Sequence, residues 1–163
     1  MMAILIPSSA SGDDHFEEHE AVGVLGIPID SSLSPLVRLG FSGPVSRLTE
    51  LRSSIRAWAC DAGMSEDDTA DMVLATYEAL TNAAEHAYSS DDWRVDLITA
   101  RTLDHRIVVW VRDHGCWRPP PADTGFRGRG LVMMRSLAHE VDVRASADGT
   151  TVLMWWAIPA AAN

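Results

Sequence analysis

Apolar residues recur along this chain at two different periods, and the switches between them mark out its elements. Val45, Leu48, Leu51, Ile55 and Trp58 follow one another at the three-to-four spacing of a single helix face. Ahead of them Ser42-Gly43-Pro44 turns the chain, with proline suited to the first helical turn, and Gly63 stands where such a helix ends. A second helix is predicted from Ser65 to about Ala87. Its serine can cap, Asp68 three residues later can reach back, and the acids Glu66 to Asp68 suit the positive end of the dipole. Beyond it the pattern becomes strand-like. Trp93 to Thr99 alternates, Ile107 to Val111 is apolar throughout, and the short Thr102 to His105 connection makes the pair a hairpin. Val37 to Phe41 reads as a first strand, and Gly130 to Ala138 as a short helix after a Pro- and Gly-rich loop over 114–126. Val141 to Arg144 and Thr150 to Trp156 form a last hairpin across Ala147-Asp148-Gly149.

Helices with one apolar face, followed by two hairpins that bracket a short helix, predict a two-layer α+β sandwich. The 163 residues suffice for one domain with a proper core. Residues 1–35 lack a sustained period and are expected to be an acidic flexible leader, with a short strand near Val22 to Ile29. The domain then occupies 36–158, and 159–163 form a tail. Trp58, Trp110, Trp155 and Trp156 lie on periodic apolar segments and are expected to pack in the core or at its edge.

Composition narrows the chemistry. No apolar run approaches the ~20 residues of a membrane span, and no basic region precedes the apolar stretch at Met1 to Pro7, so a soluble, cytoplasmic protein is expected. Cys60 and Cys116 suit neither a disulfide framework nor a zinc site, and are expected to be reduced, partly buried thiols. The net charge is −10, and all 13 basic residues are arginine. Without lysine there is neither a Gly-Lys-Ser/Thr phosphate loop nor the strand lysine of the common protein kinases. An acidic chain with no basic stripe also argues against direct nucleic-acid binding, whereas a basic protein partner remains open.

Three constellations carry candidate chemistry. In Tyr77-Glu78-Ala79-Leu80-Thr81-Asn82-Ala83-Ala84-Glu85-His86-Ala87-Tyr88, Glu78, Asn82 and His86 share one helix face. A carboxylate beside an amide oxygen there can set a proton acceptor next to a magnesium ligand; a solvated polar face is the plain alternative. Next, Val109-Trp110-Val111-Arg112-Asp113-His114-Gly115 is an apolar strand delivering Asp113, able to accept from an exocyclic amine, and then Gly115, which lets backbone approach a flat ring. By itself Asp-x-Gly is equally a turn. Last, Gly125-Phe126-Arg127-Gly128-Arg129-Gly130-Leu131 leads a glycine-rich loop into a helix. Its N–H groups and arginines suit an anion, although loop glycines often serve no ligand.

In this order and on these elements the three motifs resemble the GHKL, or histidine kinase-like, ATPases. Glu78-x-x-x-Asn82 looks like their N box, Asp113-x-Gly115 their first glycine box, and Gly128-x-Gly130-Leu131 their second. Within that family, Glu78 to Tyr88 is especially similar to the anti-sigma-factor serine kinases of the RsbW and SpoIIAB type. The resemblance implies a Bergerat-type sandwich with a mixed, mostly antiparallel sheet covered by helices on one face. It also implies ATP and Mg2+ as cofactors: Asn82 as metal ligand, Asp113 and Gly115 at adenine, Gly128, Arg129, Gly130 and Leu131 at the phosphates, and Glu78 as catalytic base. The implied partners are an anti-anti-sigma protein of the STAS type, which would be phosphorylated on serine or threonine, and a sigma factor that would be sequestered; a homodimer is left open. One departure stands out. Where many members carry another glycine after Asp-x-Gly, this chain reads Cys116-Trp117-Arg118-Pro119-Pro120-Pro121, a stiff and short lid. That departure favours the rival reading, a non-catalytic module that sequesters a sigma factor, while the retained Glu78 favours the kinase.

Overall fold

The computed structural model describes residues 21–86, 93–115 and 129–158. Among the described residues five strands are present: β1 (Leu36–Phe41), β2 (Val95–Arg101), β3 (Arg106–Asp113), β4 (Glu140–Ser146) and β5 (Gly149–Ala157). Packed with them among the described residues are the helices α1 (Leu48–Asp61), α2 (Glu66–His86) and α3 (Arg129–Leu137). The strands form one sheet in the order β1-β2-β3-β5-β4. Every neighbouring pair is antiparallel, so the sheet expected to be mixed is antiparallel throughout the described strands. This follows from connectivity: β2 to β3 and β4 to β5 are hairpins, and the stretch holding α3 returns the chain to the far edge.

The helices begin and end for local reasons. Val45–Arg47 is a 3-10 turn rather than the start of the first helix, and the Arg47 N–H donates to the Pro44 carbonyl at 2.9 Å. Gly63, at φ 83°, closes α1: the Gly63 N–H donates to Cys60 and the Met64 N–H to Ala59, the paired bonds of a Schellman end. Ser65 caps α2 by accepting from the Asp68 N–H at 3.1 Å. Its own hydroxyl donates to the Asp68 carboxylate at 2.6 Å. Cys60, expected to be partly buried, is exposed near the end of α1. Among the described residues no helix is long and apolar enough to cross a membrane.

The main core lies between helices and sheet. Leu51, Ile55, Met72 and Leu80 from α1 and α2 meet Leu97, Val109 and Trp156 from the strands. Trp156 is fully buried and donates its indole N–H to the Leu137 carbonyl at 3.0 Å, tying β5 to the end of α3. Trp58 joins the same core and donates to Ser34 at 2.8 Å, whereas Trp155 is half-buried beneath the Arg106 guanidinium.

The other face of the sheet is not bare. Ala21 and Val22 are buried there with Ile98 and Trp110, and Leu25, Ile29, Val37 and Leu153 pack around them. Residues 21–35, expected to belong to a flexible leader, are therefore a strap across the outer face; a helical turn and an isolated Ile29–Thr102 bridge stand where a short strand was expected. This double cover explains why β2 is buried on both sides instead of showing the expected in-out alternation.

Asp30 latches the strap. Its N–H donates to the Arg101 carbonyl at 2.8 Å, and its carboxylate pairs with the Arg101 guanidinium at 2.8 Å and accepts the Ser32 N–H at 2.9 Å. The hydrogen bonds from Ser32, assisted by Arg101, hold this carboxyl below its ordinary value of 3.8. A depressed pKa means that the latch contributes at neutral pH and is lost as pH falls through the lowered value. Followed by NMR, the Ser32 amide is expected to titrate with a midpoint below 3.8; a midpoint at or above it would show that the latch does not hold in solution.

Candidate functional site

On α2 the side chains of Glu78 and Asn82 stand one helical turn apart on the same face. That face meets the first turn of α3 at Gly130. A β-carbon added at Gly130 would run into the Glu78 carboxylate and lie 2.7 Å from the Asn82 amide nitrogen. Glycine is thus what lets the start of α3 come down onto the two polar side chains. Leu131 beside it is partly buried against the core, which anchors the turn. Of Arg129 the structure places the backbone, as the first residue of α3. Gly128, Arg127 and the expected lid from Cys116 to Pro121 lie outside the described residues.

Asp113 ends β3 on the helix-facing side, paired with the buried Val95. The residue is 8% exposed. One oxygen, Oδ1, accepts the Gly115 N–H at 3.0 Å and the Thr150 N–H at 3.1 Å. Two donors on one oxygen fix the plane of the carboxylate and leave Oδ2 able to accept from a ligand. Gly115, the donor of the first of these bonds, is buried.

Thr150 reaches Asp113 because the β4–β5 hairpin folds against the end of β3. The two turn residues Ala147 and Asp148 keep negative φ, and Gly149, paired with Ser146 as the first residue of β5, takes φ 123°, where the missing side chain matters. A β-carbon at Gly149 would collide with the Asp113 carbonyl oxygen and sit 2.9 Å from its Oδ1. Asp-Gly in the sequence was legible only as a turn; that the turn also cradles Asp113 depends on β3 and β5 being neighbours.

Sequence reasoning also missed Asp96. An acid inside the apolar run Val95-Asp96-Leu97-Ile98 was the available signal. Its carboxylate accepts the Gly40 N–H at 2.7 Å and meets His114 Nε2 at 2.6 Å.

The arrangement brings a carboxylate and an amide onto a glycine-initiated helix start, and sets a second, buried carboxylate at the end of a central strand. Among the described residues no group of three His, Cys, Asp or Glu side chains is placed to hold a metal ion. A cation here would fit the pattern of Mg2+, which takes few protein oxygens and completes its shell with phosphate and water.

The family model of the histidine kinase-like ATPase domain matches residues 41–156. Among curated proteins the chain is similar to the serine-protein kinase RsbW of Bacillus velezensis, with 29% identity over 143 residues that span 78% of this chain and 80% of that protein. The corresponding kinase of Bacillus pumilus is 28% identical over 145 residues, with coverage of 78% and 80%. A crystal structure of RsbU and RsbW domains from Mycobacterium tuberculosis is similar with a TM-score of 0.62 and 26% identity. It spans 76% of this chain, and the chain in turn spans 32% of that longer one.

Proposed function

The chain belongs to the histidine kinase-like ATPase family, and on that premise we propose that it is an anti-sigma-factor serine/threonine kinase that transfers the ATP γ-phosphate to an anti-anti-sigma protein of the STAS type and sequesters a sigma factor. The observation that carries this reading is the contact of Glu78 and Asn82 with Gly130 at the start of α3, on the side of the sheet where Asp113 ends β3.

In this reading Asp113 Oδ2 accepts a hydrogen bond from the exocyclic amine of adenine, and Gly115 leaves room for the ring. The α3 N-terminus at Arg129, Gly130 and Leu131 directs N–H groups and helix dipole at the phosphates, and Gly128 is assigned to the same phosphates by its motif. Asn82 would hold Mg2+ through its amide oxygen, and the ion would neutralise phosphate charge when bound. Glu78 takes the proton from the partner's hydroxyl as that oxygen bonds to the γ-phosphorus; the bond to the bridging oxygen breaks, and ADP leaves. Positioning and charge neutralisation do most of the work in such transfers.

The direct test incubates the protein with γ-labelled ATP, Mg2+ and a STAS-domain protein. Label on a serine or threonine of that protein is the expected result. Nucleotide binding without transfer would overturn the kinase reading in favour of a sequestering module.

Gly130 offers a second check. Alanine is the better helix former by about 1 kcal/mol, which offsets the shift it forces on two flexible side-chain ends, so Gly130→Ala should melt within a few degrees of wild type. ATP affinity is nonetheless expected to fall by about tenfold, one misplaced charge-assisted contact being worth roughly that much. Calorimetric titration reads it, and unchanged affinity would place the phosphates elsewhere.

A further inference from the structure

Asp113 shares the helix-facing side with its partner Val95, but the residue after it turns the other way. Along β2 and β3 the residues alternate between the two faces: Val95, Leu97, Val109 and Val111 enter the main core, while Ile98 and Trp110 lie on the outer face under the strap. Asp96, paired with Arg112, belongs to that outer set. His114 reaches it there, with Nε2 at 2.6 Å from Asp96 Oδ2. The other oxygen of Asp96 accepts the N–H of Gly40 at 2.7 Å, where β1 shifts register and Gly40 takes φ 60°. A side chain that is 10% exposed thus joins the irregular edge strand to the residue that follows Asp113.

We propose that Asp96 and His114 form a positioning pair that pins the Asp113-His114-Gly115 peptide from behind the sheet and so sets how strictly Asp113 reads the amine of a purine nucleotide. The inference rests on the nucleotide reading of the site. Its physical basis is that Asp113 holds its orientation through the Gly115 N–H, and the backbone leading to that N–H runs through His114. With the imidazole anchored, Gly115 stays 3.0 Å from Oδ1 and Oδ2 keeps its direction. Without it the peptide after β3 gains freedom, and the carboxylate can turn toward its other donor, Thr150. His114 touches no ligand in this scheme; it acts through Asp113.

The test compares calorimetric affinities for ATP and for purine riboside triphosphate, which lacks the exocyclic amine. Wild type should prefer ATP. In His114→Ala that preference is expected to narrow by about tenfold, because a site built to pair with an amine discriminates only while its acceptor stays aimed. Affinity for the purine analogue should stay near wild type. His114→Gln, whose amide nitrogen can stand where Nε2 does and donate to Asp96, should recover part of the preference. If His114→Ala does not fold, Asp96→Asn carries the comparison, since it keeps an oxygen for Gly40 and weakens the imidazole contact. Equal weakening of both nucleotides, or an unchanged preference, would overturn the positioning role while leaving the nucleotide site standing. Failure of wild type to bind ATP would overturn both.

Discussion

Exchange of Glu78 for glutamine is expected to slow phosphate transfer by about 10²–10⁴-fold, the usual contribution of a general base, with ATP affinity within about twofold of wild type. Glutamine keeps the length and shape that meet Gly130, so the junction of α2 with α3 is preserved. What it lacks is the capacity to accept the proton of the attacking hydroxyl. Single-turnover transfer from labelled ATP, run beside calorimetric titration, separates the two effects. Transfer at the wild-type rate would assign the base to another residue. A loss of binding with the loss of transfer would make Glu78 a support of the nucleotide site, and not its catalytic base.

Gly149→Ala should cost the most stability of any single methyl group placed near the site. The glycine sits at φ 123°, outside the range that L side chains adopt readily, and its added carbon would strike the Asp113 carbonyl. Backbone strain and forced overpacking each cost about 1–3 kcal/mol, and about 3 kcal/mol together is expected. For a chain of this size that corresponds to a fall in melting temperature of roughly 10 °C. ATP affinity should fall as well, because the next residue supplies the Thr150 N–H that orients Asp113. Thermal unfolding followed by circular dichroism reads the first effect and calorimetry the second. Asp148→Ala, in the exposed turn, serves as the control and should leave both nearly unchanged. If Gly149→Ala behaves like that control, the hairpin does not press on β3 in solution.

Much of this architecture is written in local pattern. The helical spacing from Leu48 to Trp58, the Ser65 cap and the Gly63 stop reflect interactions within a few residues, and they appear in the structure nearly where the chain predicts them. The two hairpins are legible for the same reason. Glu78 and Asn82 share a face by helix geometry alone, and Asp113 ends a strand by the run of apolar residues before it.

What depends on distant contacts was not legible. The strap over residues 21–35 has no period of its own, because it is held by single contacts to Ile98, Trp110 and Arg101 rather than by a repeating face. The double burial of β2, the pressure of Gly149 on Asp113 and the Asp96–His114 pair all require partners 18 or more residues away. Local pattern was enough to point to candidate residues such as Glu78, Asn82 and Asp113 and to the element each one rides on, since helix faces and strand ends are short-range properties of the chain. Which of them meet was settled by long-range packing, through the strand order that places β5 beside β3 and the glycine that lets α3 close on α2.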